Sequence, residues 1–355
     1  MIQHTLVRIL LAPLALLYGL GVSLRNWFYK IGLLKSVGFS VPVIAVGNLS
    51  VGGSGKSPHI EYLVRFLSEY LEVGTLSRGY GRKSRGYLEI LPDMQASDAG
   101  DEPLQFKKKF PRIVVSVGES RSLAIPRMLM YHPELKVILL DDAFQHLAVK
   151  PGLNILLTPY DRPFTRDYLL PAGRLREWRN AYERADVVVV SKCPPELAAA
   201  DAQRMREEIR PLAHQQLFFS TYRYGNPFYI FNPGYTVDIS SDWSVLLICA
   251  IAGTDYLLRY LDEVATGVQV LEYEDHHFFS NYDIANLKQV FDRLDAPRKM
   301  ILTTEKDAMR LYMHKDFIVR HQLPIFVLPI QVEFLFQEGD KFEDLLKTYL
   351  LNFRA

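Results

Sequence analysis

Apolar residues along the chain fall into short continuous runs separated by segments of helical or irregular spacing. The runs Val41–Val46, Val73–Leu76, Ile113–Val117, Val137–Leu140, Asn154–Leu157 and Val187–Val190 predict strands buried on both faces. A strand with one wet face would instead alternate apolar with polar residues. After the first run, Ile60, Leu63, Val64, Leu67 and Leu71 are spaced as one face of a helix. Strand runs alternating with helical ones predict an α/β fold, a mostly parallel sheet flanked by helices.

From Thr221 to Val237 the pattern becomes aromatic and is broken by proline and glycine, through Tyr222, Tyr224, Pro227, Phe228, Tyr229, Phe231 and Pro233. A hinge or hairpin is expected there. A second alternation follows, with strands expected at Val245–Ala250, Val268–Leu271, Met300–Leu302 and Ile325–Leu328. Thr254 is placed to cap a helix running to Val264, and Ser280 with Asp283 and Thr304 with Asp307 have capping-box spacing. A helix near Phe342–Phe353 closes the chain.

The first residues differ from the rest in charge. No acidic residue precedes Glu61, whereas Arg8, Arg25, Lys30 and Lys35 are basic, and Ile9–Leu24 carries no charge. That run is shorter than the ~20 residues of a bilayer span, and Pro13 interrupts it. An A-x-A-like cleavage site is missing. Core helix, transmembrane span and monotopic anchor are the open readings. The basic residues, with Trp27, Phe28 and Tyr29 at the edge of the apolar run, favour the anchor. The expected division is a membrane-associating segment at 1–36, a P-loop domain at 37–220 and a smaller α/β domain at 221–355, whose last helix is free to pack back on the first domain.

Composition narrows the classes. A chain of 355 residues exceeds one typical core, and 49% hydrophobic with 23% charged residues describes a folded globular protein. A net charge of +1 gives no global attraction for nucleic acid, so none is expected as a partner. Cys193 and Cys249 lie far apart without metal-ligand spacing, which argues against a disulfide framework or zinc site and fits a reducing compartment.

The chemistry begins at Gly52-Gly53-Ser54-Gly55-Lys56-Ser57, between a predicted strand and a predicted helix. That context makes it a P-loop, where glycines let the backbone aim its N–H groups at phosphate oxygens. Residues Ser50, Val51 and Gly52 to Ser57 are expected to bind ATP, with Lys56 on the β- and γ-phosphates and Ser57 on Mg²⁺. Ser50 stands where the general pattern has glycine. The strand ending in Asp141-Asp142 is where such proteins keep a second magnesium contact.

Other motifs are ambiguous alone. Gly100-Asp101-Glu102-Pro103 suits a solvated turn as well as a reactive carboxylate pair. Asp275-His276-His277 suits proton handling, substrate contact or neither. Arg78, Arg82, Lys83 and Arg85, and further on Arg174, Arg176 and Arg179, follow predicted strands, at the face where α/β sheets bind ligands. Solvated charge and an anionic substrate both explain them.

These pieces in this order resemble the tetraacyldisaccharide 4′-kinase family, membrane-bound lipid A kinases of bacteria. The matching stretches are Gly47–Pro58, Ser77–Arg82, Gly100–Pro103, Asp141–His146, Leu169–Glu177, Asp275–His277 and Thr304–Leu311. The resemblance implies that ATP, with Mg²⁺, phosphorylates the 4′-hydroxyl of an acylated glucosamine disaccharide 1-phosphate. It implies work at the cytoplasmic face of the bacterial inner membrane, peripheral or monotopic, with no obligate protein partner. Asp101 is then the catalytic base and His276 its partner. Glu102 lies near the metal, and Asp141 and Asp142 serve the Mg²⁺ site. His146 contacts the reacting groups, and Arg176, with Arg78, Arg82 and Arg174, binds the lipid headgroup. The chain departs from the family pattern at Ser54, Ser57, Ala143 and Trp178, the last bearing on the loop around Arg176. The alternative class is a membrane-associated nucleotide switch, but those ATPases carry a lysine before the paired glycines, where this chain has Val51. A periplasmic or receptor-type binding module is disfavoured by the cysteine usage and the missing cleavage site.

Overall fold

The computed structural model describes residues 2–354, with side chains from Val7 onward. Strands β1 (Val43–Asn48), β2 (Val73–Ser77), β3 (Leu88–Glu89), β4 (Val114–Val117), β5 (Val137–Asp141), β6 (Leu153–Pro159), β7 (Val187–Ser191) and β8 (Gln216–Tyr224) come first in the chain. They are followed by β9 (Phe228–Tyr229), β10 (Asn232–Thr236), β11 (Ser244–Cys249), β12 (Gly267–Glu272), β13 (Lys299–Thr304), β14 (Ile325–Leu328) and β15 (Ile330–Phe334). Among the described residues these make two sheets, ordered β15-β8-β7-β6-β1-β5-β2-β4-β3 and β10-β9-β14-β13-β11-β12.

The first sheet is parallel except at its edges, where β15 and β3 run antiparallel to their neighbours. Its central strand β1 is buried throughout, with Ile44 and Val46 in one apolar cluster and Val43 and Ala45 in another. Two covered faces explain the unbroken apolar run. Val46 pairs with Asp141 across β1 and β5, so the loops after both strands leave from the same edge.

In the second sheet β11, β12, β13 and β14 are parallel, and β9 and β10 add antiparallel strands beside β14. The chain crosses between sheets twice, between β8 and β9 and again at Pro329 between β14 and β15. The crossings lie side by side: Ile330 pairs with Tyr224, and the Gly225 N–H donates to the Pro329 carbonyl at 3.0 Å. β8 therefore runs through the 220/221 division, and β15 carries the chain back to the first sheet. The C-terminal helix Gly339–Asn352 follows it there, stacking Phe342 on Phe334 with ring centres 4.4 Å apart.

Helix caps match expectation unevenly. Ser280 and Asp283 form a complete capping box. Thr304 accepts from the Asp307 N–H, but the Asp307 carboxylate takes the Ala250 N–H and Arg310 instead of closing the box. Thr254 makes no cap bond, because its hydroxyl donates to Glu272 Oε1 at 2.9 Å.

The N-terminal helix Ile2–Lys30 runs through Pro13 rather than stopping at it. Its portion Val7–Lys30 is 24 residues long, and its 18-residue apolar window has mean hydropathy 1.9 with only 11% of that window buried. At 1.5 Å per residue that is about 36 Å, enough by length and composition to cross a bilayer core. The charge-free run alone is shorter because Arg8 and Arg25 bound it, while the helix continues past both. A core helix is excluded, since Ile9, Leu10, Leu17 and Leu20 all face outward.

Candidate active site

Ser50–Ser57 leave the end of β1 and enter the helix Lys56–Leu67. Gly55 sits at φ 85°, a left-handed turn that glycine adopts without strain and that aims the helix N-terminus at the cavity. His59 supports this turn from below. Its Nδ1–H donates to the Gly55 carbonyl at 2.7 Å and its Nε2 accepts from Ser220 Oγ at 3.0 Å. Burial pushes the His59 pKa down to about 4, only partly countered by the Gly55 hydrogen bond. Lys56 Nζ lies 3.4 Å from Asn48 Oδ1 and 3.6 Å from Asp142 Oδ1. Lys56, Ser57, Asp101, Glu102, Asp141, Asp142, Arg78, Arg176, His276 and Lys306 all line one cavity of about 540 Å³.

The two aspartates at the end of β5 have separate environments. Asp141 is buried, and burial, with Glu102 nearby, pushes its pKa up to about 7. Its buried Oδ1 meets no donor among the described residues. Asp142 turns to the cations, with Arg176 bridging both its oxygens at 3.0 and 2.8 Å. Burial opposes ionisation there, but Lys56 and Arg176 hold its pKa well below the usual carboxylate range. Ser57 Oγ donates to Glu102 Oε1 at 3.1 Å. Asp141, Glu102 and Ser57 thus offer hard oxygen donors, with an orphaned buried carboxylate oxygen among them, which fits Mg²⁺. No cluster of three or more His, Cys, Asp or Glu side chains shaped to hold a metal occurs among the described residues.

On the opposite wall, Asp101 opens the helix Asp101–Lys109. Its Oδ2 lies 3.0 Å from His276 Nδ1 and 3.7 Å from Arg310 Nη1. Burial raises the Asp101 pKa, but the His276 hydrogen bond with Lys306 and Arg310 outweighs it and leaves the pKa below its ordinary value. Arg310 is buried, paired to Asp307 and to the Ala250 carbonyl at 3.0 Å. His276 itself sits at φ 63°, Asp142 at φ 48° and Lys192 at φ 57°. Left-handed backbone at three non-glycine residues of one cavity costs of order 1 kcal/mol each and is typical of reactive sites.

The arrangement is a phosphate-binding loop and a carboxylate–histidine pair facing one another. The family profile for tetraacyldisaccharide-1-P 4′-kinase matches residues 7–351. The chain belongs to this kinase family. A tetraacyldisaccharide 4′-kinase of Bacteroides fragilis is 42% identical over 347 residues, which cover 96% of this chain and 92% of the relative. One from Bacteroides thetaiotaomicron is 43% identical over 352 residues with the same coverage. A crystal structure of LpxK from Aquifex aeolicus, an "apo" form in complex with ATP, matches with a TM-score of 0.71 at 27% identity, over 97% of this chain and 99% of that one. The chain is therefore a kinase of lipid A biosynthesis that acts on the 4′ position of the disaccharide precursor.

Not every expected residue of the kinase reaches the cavity. Arg82 is held by Glu119 at 2.7 Å and the Gly86 carbonyl, and lines neither the 540 Å³ cavity nor its 250 Å³ neighbour. His146 accepts the Arg121 N–H at 3.2 Å and likewise stays outside both. Burial, with Arg121 and Arg78 nearby, pushes its pKa down to about 4. Arg174 lines the smaller cavity, on the far side of the P-loop, and its carbonyl accepts the Val51 N–H at 2.8 Å.

The residues missed from sequence are Lys306, Arg310, Asn48 and Lys192. Lys306 and Arg310 lie inside the Thr304–Leu311 stretch and Asn48 inside Gly47–Pro58, and the fit of these stretches to the family pattern is the signal that points to them. Trp178, unusual for the family, docks the N-terminal helix. Its Nε1 donates to the Gly19 carbonyl at 3.2 Å and to Ser23 Oγ at 3.0 Å, and a Cβ on Gly19 would collide with the Trp178 ring. Next to it, buried Glu177 takes Arg25 at 3.0 Å and Arg184 at 2.8 Å, and Tyr18 donates to the Arg176 carbonyl at 2.9 Å. The helix is thereby fastened to the loop that carries Arg176.

Proposed function

We propose that Asp101 takes the proton of the acceptor 4′-hydroxyl while Lys56 receives the charge of the transferring γ-phosphoryl group of ATP. The carrying observation is the single cavity that holds Lys56 on one wall and the Asp101–His276 pair on the other. As the hydroxyl oxygen attacks phosphorus, its proton passes to the Asp101 carboxylate, the bond from γ-phosphorus to the bridging oxygen breaks, and ADP leaves. A sugar hydroxyl is a poor nucleophile, and a positioned base accelerates such steps by roughly 10²–10⁴-fold. Mg²⁺, held by Ser57, Glu102 and Asp141, would neutralise phosphate charge. Asp142 then acts by placing Lys56 and Arg176, and Arg176 with Arg78 is within reach of an anionic headgroup.

The exposed apolar face of the N-terminal helix supports a seat at the membrane, on the cytoplasmic side where ATP is available, with the Arg174–Trp178 loop brought to the lipid surface. The smaller sheet brings His276 and Lys306 to the base side of the cleft, so the twin crossings at Gly225 and Pro329 are where the two units would flex. Radiolabelled ATP with the acylated disaccharide 1-phosphate tests the reaction. Acceptor-dependent label transfer at saturating Mg²⁺ is expected, and its absence would refute it. Vesicle flotation tests the location: the full chain floats with anionic vesicles, and a chain lacking residues 2–30 stays behind.

A further inference from the structure

Strand β8 brings a hydroxyl to the P-loop. Tyr222 is 8% exposed, lines the 540 Å³ cavity, and stands so close to the loop that a Cβ on Gly55 would collide with its Oη. Its backbone pairs with Val332 of β15, and Tyr256 packs edge-on against its ring with centres 5.3 Å apart. The Tyr256 hydroxyl is well engaged: it meets Thr221 Oγ1 at 2.8 Å, donates to the Cys193 carbonyl at 3.2 Å and accepts the Tyr222 N–H at 3.3 Å. The Tyr222 hydroxyl, by contrast, has no hydrogen-bond partner among the described residues. His59, also beside Gly55, cannot supply one, because its ring nitrogens are taken by the Gly55 carbonyl and Ser220 Oγ. A buried tyrosine O–H ordinarily finds a partner, and leaving it without one costs free energy. The side left open to it is the cavity. Burial, with Tyr224 and Tyr256 nearby, pushes its pKa further up, so the phenol keeps its proton at neutral pH and can donate.

Gly55 is also the residue from which the helix Lys56–Leu67 starts. The N–H groups of a glycine loop and of the helix N-terminus behind it cradle the inner phosphates of a bound nucleoside triphosphate. A donor beside Gly55 faces the same anion. We propose that Tyr222 is a nucleotide-binding residue whose hydroxyl donates a hydrogen bond to the β-phosphate of ATP. This rests on the P-loop holding the donor phosphates and is independent of the base assigned to the acceptor. The fixed ring makes the contact available without ordering a flexible side chain, and a phosphate acceptor makes the bond stronger than one between neutral groups.

The test is calorimetric titration of the full chain and of Tyr222→Phe with ADP and with AMP in the presence of Mg²⁺, beside denaturant unfolding of each protein without nucleotide. Phenylalanine keeps the ring and removes the hydroxyl alone. The quantity read is the ratio of the AMP Kd to the ADP Kd, from which any general weakening of the site cancels. Tyr222→Phe should weaken ADP by roughly 10- to 100-fold, as loss of a hydrogen bond to a charged group does, and leave AMP unchanged, so the ratio falls by the same factor. The denaturant midpoint should stay at the parent's value. A ratio equal to the parent's overturns the proposal, whether or not the midpoint moves. A parent that binds ADP no better than AMP refutes instead the P-loop as the seat of the donor phosphates.

Discussion

The two walls of the cavity are built differently. On the phosphate wall, Lys56, Ser57, Asp141 and Asp142 leave neighbouring parallel strands of one sheet, held in register by the pairing of Val46 with Asp141. On the base wall, Asp101 belongs to the first sheet's side, while His276, Lys306 and Arg310 arrive from the second. The first arrangement is fixed by adjacent chain. The second exists only while two sheets joined by the twin crossings near Gly225 and Pro329 keep their relative placement. With the roles proposed above, donor binding is expected to be robust to disturbance of the second sheet and proton removal to be sensitive to it.

The largest break in this contrast is on the phosphate wall. Lys56→Met removes the cation proposed to meet the transferring group, and we expect kcat/KM for ATP to fall by roughly 10³-fold or more in the radiolabel assay. At the joint between the walls, Lys109 Nζ bridges Glu61 on the P-loop helix and Glu305 beside Lys306, both at 2.6 Å. Lys109→Met leaves two carboxylates together in a buried place. Denaturant titration should show a loss of about 3 kcal/mol, with kcat falling more than ATP affinity.

His59 sharpens the picture of the phosphate wall through pH. Its folded pKa, about 4, lies below the unfolded value of 6.5, so the fold disfavours the protonated ring. Stability is complete above pH 6.5 and is lost as pH falls from there toward about 4, by about 2–3 kcal/mol. Thermal melts across that window should show the decline, and His59→Gln should flatten it. The smallest effect lies outside both walls. Gly19→Val pushes against Trp178 and should lower kcat/KM for the lipid acceptor by roughly tenfold while ATP affinity stays unchanged.

The same contrast explains what the sequence disclosed. Strands buried on both faces need unbroken apolar runs, so β1, β2, β5, β6 and β7 were legible, and with them the P-loop and the pair Asp141-Asp142. β15 was not, because Ile330, Val332 and Phe334 alternate with Gln331 and Glu333 in a short edge strand whose partner β8 lies more than a hundred residues earlier. Contacts across that distance leave no local period. Asp101 and His276 are likewise far apart in the chain, and only the family resemblance paired them. Arg82 and His146 illustrate the converse: a basic residue in a ligand-facing loop is a candidate until a neighbour such as Glu119, or the backbone of Arg121, is seen to hold it.

The division of labour between the walls is tested most directly by Asp101→Asn, which keeps the shape of the side chain and removes its capacity to accept a proton. ATP affinity by calorimetry and the single-turnover rate of transfer to the acceptor should be measured on the same preparation. The account predicts an ATP Kd within about threefold of the parent and a transfer rate lower by roughly 10²–10⁴-fold. A variant that transfers phosphate as fast as the parent, or one that loses turnover only because it no longer binds ATP, would contradict it.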